Sequence, residues 1–373
     1  MKKSPFAIAG IPVQIHWTFW LLAIWIVYSN LQDGFDVFRT AWSLLFTALV
    51  FVCVLLHELG HSLTARQFGI QTKSILLLPI GGLAHLQTMP KSPKQEFWIT
   101  IMGPAVNLVI ALMLLPTVHF DFNNPARVDQ VTSVNGTNIF YNLFVANVIM
   151  FLFNLLPAFP MDGGRILRAA IAWFSGQEKA TKIATWVGNL FAFLFIVAGI
   201  YLMSFMLVII GIFVLLAARS ELSFVKNNSI LSRFRVKDII ITDYHTLSPS
   251  DPVQKAADLL LRTQNKSFVV MKYGEVEGVL RQMEIIKALS AEGPNAPVAK
   301  YMNPHVIKVD EDELLADVQE NFAAGGHDVL LVTSNGSFLG LIDSDNIEEL
   351  IALYQRGDNS YFPSRGFEWS KSY

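Results

Sequence analysis

The sequence predicts a membrane-embedded all-α core of six spans with one re-entrant hairpin loop, followed by a soluble cytoplasmic α/β module built from two copies of one unit. Three observations carry that reading. Of the 373 residues, 53% are hydrophobic and only 16% charged, and the mean hydropathy is +0.43, the balance of an integral membrane protein. Apolar runs of near-spanning length recur as far as Arg219 and then stop. After Val236 the chain turns polar and echoes itself at a period of about sixty residues, the mark of an internal duplication. The net charge of −2 gives no global basic field for nucleic acid. A single cysteine, Cys53, excludes an internal disulfide framework and a cysteine-rich structural zinc site.

The N-terminus, Met1-Lys2-Lys3, is basic and leads into a bulky aromatic run with no small-residue cleavage site, so the first apolar segment is expected to remain as a span. The six spans are predicted at residues 13–28, 41–63, 98–118, 141–156, 181–202 and 204–218. A crossing needs roughly 20 apolar residues, so the first, fourth and last are short. Lysine and arginine gather on alternate connections: Lys2 and Lys3; Arg66, Lys73, Lys91 and Lys94; Arg165, Arg168, Lys179 and Lys182; then Arg219 onward. The opposite loops hold only Arg39 and Arg127 beside Asp33, Asp36, Asp121 and Asp129. By the positive-inside rule both termini are cytoplasmic and residues 122–138 form an external loop.

Residues 70–87 are apolar but too short to cross, and Pro79 with Gly81-Gly82 would break a helix. A re-entrant extended hairpin is expected there, since non-helical backbone at membrane depth survives where protein covers it or water lines it. A plain interfacial loop is the alternative. In the duplicated part, residues 236–240 are echoed by 298–302, the helical stretch 253–263 by 314–324, and the strand pair 267–271 and 276–280 by 328–333 and 338–342. The organisation expected is a transmembrane core over 1–222, a linker over 223–235, repeats over 236–290 and 298–353, and a loose tail over 354–373.

The chemistry-bearing stretch is His57-Glu58-Leu59-Gly60-His61, inside the second span. Four residues apart on a helix, the two imidazoles share a face and can share a metal ion, while Glu58 is placed to take a proton from water. Ionisable groups inside a span are expensive, which favours a functional reason for them. Catalytic zinc takes three protein ligands and keeps one position open. Asp162, before Gly163-Gly164, is the candidate third ligand, with a turn aspartate as the plainer alternative. His57 lies sixteen residues past Ala41, about 24 Å into a core of about 30 Å, and Asp162 follows the cytoplasmic end of the fourth span, so the two depths match. Asn154 and Asn107 are candidates for binding substrate or stabilising an oxyanion, with interhelical hydrogen bonding as the alternative for both. His85 reads as an interfacial histidine.

Taken together, His57–His61, the N-x-x-P-x-x-x-x-D-G-G pattern from Asn154 to Gly164 and the Gly103-Pro104…Asn107 element resemble site-2 proteases, M50-type intramembrane zinc metalloproteases. The duplicated module resembles a pair of CBS domains, as in the branch of that family with a six-span core and a C-terminal CBS pair. The resemblance implies one Zn2+ per chain on His57, His61 and Asp162, Glu58 as general base, and Asn154 at the substrate or oxyanion. It also implies a cell-membrane, multi-pass enzyme that cuts a single-span membrane protein, such as an anti-sigma factor, in regulated intramembrane proteolysis. CBS pairs dimerise, regulate or bind adenine nucleotides. Here Arg281 and Asp343 stand where a nucleotide-binding pair has a hydroxyl; Asp343 would repel phosphate, whereas Arg281 could attract it. The competing reading is a CBS-gated membrane cation transporter or channel. There His57, Glu58 and Asp162 would bind the translocated cation, but transport does not require the H-E-x-x-H motif with a D-G-G partner, and the spans show no inverted repeat.

Overall fold

The computed structural model describes residues 6–355, apart from 33, 35, 80, 89, 91, 119–133, 264 and 326–328. The N-terminal lysines, most of the expected external loop, Asp328 and the tail beyond 355 lie outside the described residues. The chain divides into two compact units, split after Val225.

The first unit is helical with one small sheet. Its elements are β1 (Ala7–Ile8), β2 (Ile11–Ile15), α1 (Phe19–Gln32), α2 (Val37–Gln67), β3 (Thr72–Leu78), β4 (Gly81–Leu86), α3 (Pro93–Leu114), α4 (Ile139–Asn154), α5 (Asp162–Ser175), α6 (Gln177–Tyr201) and α7 (Phe205–Leu231), whose last turns enter the second unit. Four helices are long and apolar enough to cross a membrane: α2, α3 with the short turn after it, α6 and α7. Two shorter apolar helices, α1 and α4, accompany them. Their outward faces carry Trp20, Ile24, Trp25, Leu112, Met113, Ile149, Leu152, Trp186, Phe193 and Phe213, all more than 40% exposed. In water such surface would drive association; here it is the face offered to lipid. The protein is a multi-pass membrane protein.

Residues 13–15, expected to open the first span, form β2 instead, and α1 starts only at Phe19. The residues expected to form a hairpin do so, with Leu76 opposite Leu83 and Leu78 opposite Gly81. They do not form it alone. β2 pairs parallel to β3, giving a four-stranded sheet in the order β1-β2-β3-β4, with β4 at an edge. Ile11, Val13, Ile75 and Leu77 point to one face and pack on Leu59, Val54 and Leu55 of α2. That alternation is why the strand register is fixed: a one-residue slip would turn the apolar set away from α2. The last helix continues thirteen residues beyond the predicted end at Ala218, because the polar stretch after it still has no breaker before Leu231. α5 is amphipathic, not spanning; it buries Gly163, Gly164, Arg168, Ala169 and Ala172.

The second unit shows the duplication as topology. β5 (Thr246–Leu247), α8 (Val253–Arg262), β6 (Ser267–Lys272), β7 (Glu275–Arg281) and α9 (Gln282–Ala291) match β8 (Lys308–Asp310), α10 (Leu315–Gly325), β9 (Val329–Ser334), β10 (Ser337–Asp343) and α11 (Ser344–Gln355). In each repeat the first strand pairs parallel to the second and the second antiparallel to the third. Each has its own core, Leu247, Phe268, Val270, Leu280 and Ile285 in one, Leu315, Leu330, Val332, Ile342 and Ile347 in the other. Between them, Val269 and Val279 pack on Val329, Leu331 and Leu341. Each sheet is also crossed by a stretch preceding the other repeat's strands: Ile241 bridges Leu341, and Asn303 bridges Val279. The crossing explains two glycines. A Cβ at Gly278 would meet the Asn303 carbonyl oxygen at 2.6 Å, and one at Gly340 would strike the Ile241 carbonyl.

Because Phe268 is fully buried in the first repeat's core, Phe268→Ala is expected to cost about 3–5 kcal/mol. Calorimetry of the full chain in detergent should show the melting of the second unit lowered while that of the helical unit stays in place.

Candidate metal centre

The site begins with two helices pressed unusually close. A Cβ at Gly60 of α2 would lie 2.7 Å from the Met102 carbonyl oxygen and 2.9 Å from Val106 Cγ2, so the backbone of α2 meets both the backbone and a side chain of α3 at that level. On the other side of the contact, a Cβ at Gly103 would collide with the His61 ring and reach His57 Nε2 at 2.7 Å. Gly103 is therefore the floor beneath both imidazoles, and no side chain can be accommodated there.

The same face of α3 sets the proton positions on the histidines. His61 Nδ1 lies 2.8 Å from the Ile99 carbonyl oxygen, which only accepts, so Nδ1 carries the proton and donates it. For His57 the assignment runs through three residues. Asn147 Nδ2 donates to the Leu143 carbonyl at 2.8 Å, which turns its Oδ1 toward Asn107. Asn107 Nδ2 donates to that Oδ1 at 2.9 Å, which turns its own Oδ1 toward His57. His57 Nδ1 then donates to Asn107 Oδ1 at 2.6 Å. Both rings thus present the Nε2 lone pair, and hydrogen bonds from the rear nitrogen raise the basicity of the front one.

The two Nε2 atoms are 3.1 Å apart, and Asp162 Oδ2 is 3.1 Å from one and 3.2 Å from the other. Three acceptor atoms facing one another at these distances repel unless a cation sits among them. The edges of this triangle lie a little inside the roughly 3.3–3.6 Å expected between ligands held about 2.0–2.2 Å from one tetrahedral ion, and two histidines plus a carboxylate leave its fourth position open. The residues fit zinc. Among the described residues, this is the group of His, Cys, Asp or Glu side chains that could hold a metal ion.

Asp162 reaches the histidines because α5 starts at that residue and rests on the loop before it. A Cβ at Gly163 would run into the Leu155 and Leu156 backbone, and one at Gly164 would come 2.7 Å from the Ala158 carbonyl carbon and Phe159 nitrogen. The two glycines let the first turn of α5 lie flat on that loop. Glu58, half-buried, turns toward the sheet: Ala84 N–H donates to its Oε2 at 3.1 Å, and a Cβ at Gly82 would meet its Cγ at 2.5 Å. Since Ala84 N–H is spent on Glu58, it faces away from β3, along the open edge of β4, and the alternation of an antiparallel pair puts the Gly82 backbone groups on the same edge.

Asn107 is placed differently from the sequence expectation. It is fully buried, its oxygen accepts from His57 and its nitrogen donates to Asn147, so its amide stands behind His57 in interhelical hydrogen bonding, the alternative given for it. Asn154 ends α4, is partly exposed, and its side chain has no recorded partner among the described residues. Sequence reasoning missed Asn147 and the Ile99 carbonyl. Asn147 had a signal, a polar residue in the apolar run of α4; a main-chain carbonyl has none.

In the second unit, Ile241, Asp243, Tyr244, Lys266, Ser267, Val329, Leu341 and Asp343 line a cleft between the repeats. Arg281, expected as a phosphate attractor, is engaged by Glu284, with Nε 3.1 Å from both carboxylate oxygens and Nη2 2.5 Å from Oε1. Lys266 pairs with Asp345 at 2.6 Å. Burial pushes the Asp343 carboxyl above the usual carboxylate range, although the Asn346 N–H partly offsets it.

Comparison with known proteins decides the family. The model of peptidase family M50 matches residues 45–124 and 124–198, and the CBS domain model matches 236–291 and 298–353. A zinc metalloprotease of Methanocaldococcus jannaschii is 33% identical over 351 residues, 94% of this chain and 96% of its own. The chain belongs to peptidase family M50. A relative from Synechocystis sp. is 30% identical over 361 residues, covering 91% of this chain and 92% of the relative. A solved site-2 protease from Methanocaldococcus jannaschii is 37% identical over 58% of this chain and 93% of that one, with a TM-score of 0.43. This M50 protein is a zinc metalloprotease of the site-2 type carrying a tandem CBS pair, and the transporter reading is set aside.

Two outcomes follow from the geometry. Asn107→Ala removes the acceptor from His57 Nδ1 and is expected to weaken zinc binding about 10- to 100-fold, measured by chelator competition, with the helical content unchanged. Asp343 binds its proton more tightly folded than unfolded, so its contribution to stability is complete below the unfolded carboxylate value and is lost as pH rises through the raised folded value. Asp343→Asn should therefore raise the melting temperature of the CBS unit at neutral pH, and its advantage over wild type should vanish below about pH 4.

Proposed function

We propose that His57, His61 and Asp162 hold the zinc of this M50 protease, that Glu58 is its general base, and that the substrate is cut as an extended strand laid along the edge of β4. The observation that carries this reading is the convergence of two histidine lone pairs and a carboxylate oxygen, with Glu58 against an unpaired strand edge beside them. When bound, zinc polarises the scissile carbonyl and lowers the pKa of water to about 7.

The chain's own groups account for the rest. Glu58 accepts the proton of the attacking water and delivers it to the leaving nitrogen. Proteases of this type act on membrane-embedded segments, and a helical segment has its carbonyls tied along its own axis, so it must open before cleavage. The outward N–H and C=O groups of Gly82 and the C=O of Ala84 offer it replacement hydrogen bonds, the strand-addition mode of peptide recognition. Asn154, with its amide uncommitted, is the candidate to orient the substrate or its oxyanion.

The membrane arrangement proposed with it has six spans, the four long helices plus α1 and α4, with the β3–β4 hairpin re-entrant and both termini cytoplasmic. The lysine and arginine asymmetry of the connections supports that orientation. The organisation proposed is a protease core over 1–222, a linker over 223–235, and CBS domains over 236–290 and 298–353. The CBS pair serves as a regulatory or dimerising module; with Arg281 neutralised and Asp343 in the cleft, an adenine nucleotide is not favoured there. The substrate class is a single-span membrane regulator, of which an anti-sigma factor is one example.

The test is cleavage of single-span substrates in detergent with zinc content measured in parallel. Glu58→Gln should keep zinc and lose nearly all cleavage; full activity in that variant would remove Glu58 as base. Ala84→Pro takes away the N–H that holds Glu58 and disturbs the β4 edge, and should cut cleavage sharply with zinc retained, whereas wild-type cleavage would dismiss strand addition at that edge.

A further inference from the structure

A second buried charge cluster lies on the same helices and plays no part in the chemistry above. Arg168, on α5, is 2% exposed. Its Nε donates to Glu96 Oε1 on α3 at 2.8 Å, its Nη2 donates to the same oxygen, and its Nη1 donates to Glu221 Oε1 on α7 at 2.5 Å. Its guanidinium carbon sits 5.2 Å from the ring centroid of Phe159, itself 1% exposed and three residues before Asp162. Glu96 is 5% exposed. Taking these ions out of water is costly, and well-packed apolar side chains of the same volume would stabilise the core at least as well. The cluster calls for a reason other than stability.

That reason is in what the paired helices carry. Along α3, Glu96, Ile99, Gly103 and Asn107 follow at spacings of three, four and four, so they share one face. Three of them define the histidines: the Ile99 carbonyl fixes His61, Asn107 fixes His57, and Gly103 lies beneath both. The fourth grips α5, the helix that begins at Asp162, and Arg168 lies six residues on, about 9 Å along its axis. The first turn of α5 meets the loop through Gly163 and Gly164, which present no side chains to interlock. Flat contacts resist sliding poorly. A planar guanidinium gripped from two sides supplies the direction those glycines lack.

We propose that Arg168 is a positioning residue for the metal centre: its ion pairs with Glu96 and Glu221 set the register of α5 against α3 and so hold Asp162 Oδ2 at the two histidine nitrogens. The inference rests on His57, His61 and Asp162 being the ligands. It assigns Glu96 a place in the same device, the point from which one face of α3 aligns all three.

The test uses the full-length protein in detergent with metal alone as the probe. Zinc affinity is measured by chelator competition, the visible spectrum is recorded after cobalt substitution, and the melting temperature is taken without metal. Arg168→Met should lower zinc affinity about tenfold or more and change the intensity of the cobalt bands. Arg168→Lys should recover part of both, since it restores the charge without the fork, and Glu96→Gln should fall between Lys and wild type. Ile139→Ala, a core truncation on α4, should lower the melting temperature and leave zinc affinity and the cobalt spectrum unchanged. Should Arg168→Met fail to fold, Arg168→Lys and Glu96→Gln carry the test. Wild-type affinity and spectrum in those two, or an equal loss of zinc in Ile139→Ala, overturns the positioning role. Asp162→Ala separates the two levels. If it loses zinc while the Arg168 and Glu96 variants do not, the positioning inference alone falls; if it keeps wild-type affinity and spectrum, the ligand assignment falls with it.

Discussion

Everything in the first unit is arranged around a repulsion. Two imidazole lone pairs and a carboxylate oxygen are held about 3 Å apart inside a helical core, where low dielectric makes their mutual dislike stronger than it would be in water. Protein atoms do not drift into such a configuration; they are forced into it from behind. The Ile99 carbonyl and the Asn107–Asn147–Leu143 relay fix the histidine tautomers, and the glycine contacts of α5 bring Asp162 up to meet them. A cation turns the repulsion into binding, which is why a group so unfavourable alone can be the organising feature of the fold.

The architecture follows from supplying that arrangement with rigid walls. α3 lies against α2 at a glycine on each helix, so the helices come close enough for a main-chain carbonyl and an asparagine to reach the imidazoles. The small sheet covers the opposite side of α2 and gives Glu58 a neighbour whose main chain is unpaired on one edge. An edge strand exposed in water is an aggregation hazard; beside Glu58, under the proposed mechanism, it becomes a docking place for a chain that has to be opened before it can be cut.

The second unit solves an unrelated problem by a different route. Two copies of one α/β unit each build a full apolar core, then exchange short bridging stretches, Ile241 onto the sheet of the second and Asn303 onto that of the first. Gly278 and Gly340 are required here by those crossing carbonyls. The cleft between the repeats carries Asp243 and Asp343, its Lys266 is answered by Asp345, and Arg281 is engaged by Glu284, a balance that differs from what a phosphate-binding site needs.

The sequence by itself determined what depends on local periodicity and on cost. Apolar runs marked the long helices, the short apolar run with breakers at residues 70–87 pointed to a hairpin, and the duplication marked two repeats. His57 and His61 were legible as candidates because four-residue spacing on a helix fixes their common face, and Glu58 beside them because charge inside a span is too expensive to be idle. Only the tertiary structure decided the rest. That β2 joins the hairpin into a four-stranded sheet depends on a pairing sixty residues away, which no local pattern encodes. That Asn107 stands behind His57 depends on which way one amide turns, and that is set by the Leu143 carbonyl on a different helix. The role of Arg168 was hidden for the same reason. In sequence it is one more cation after a span, and only the packing of α3, α5 and α7 removes it from water and gives it two carboxylates to hold.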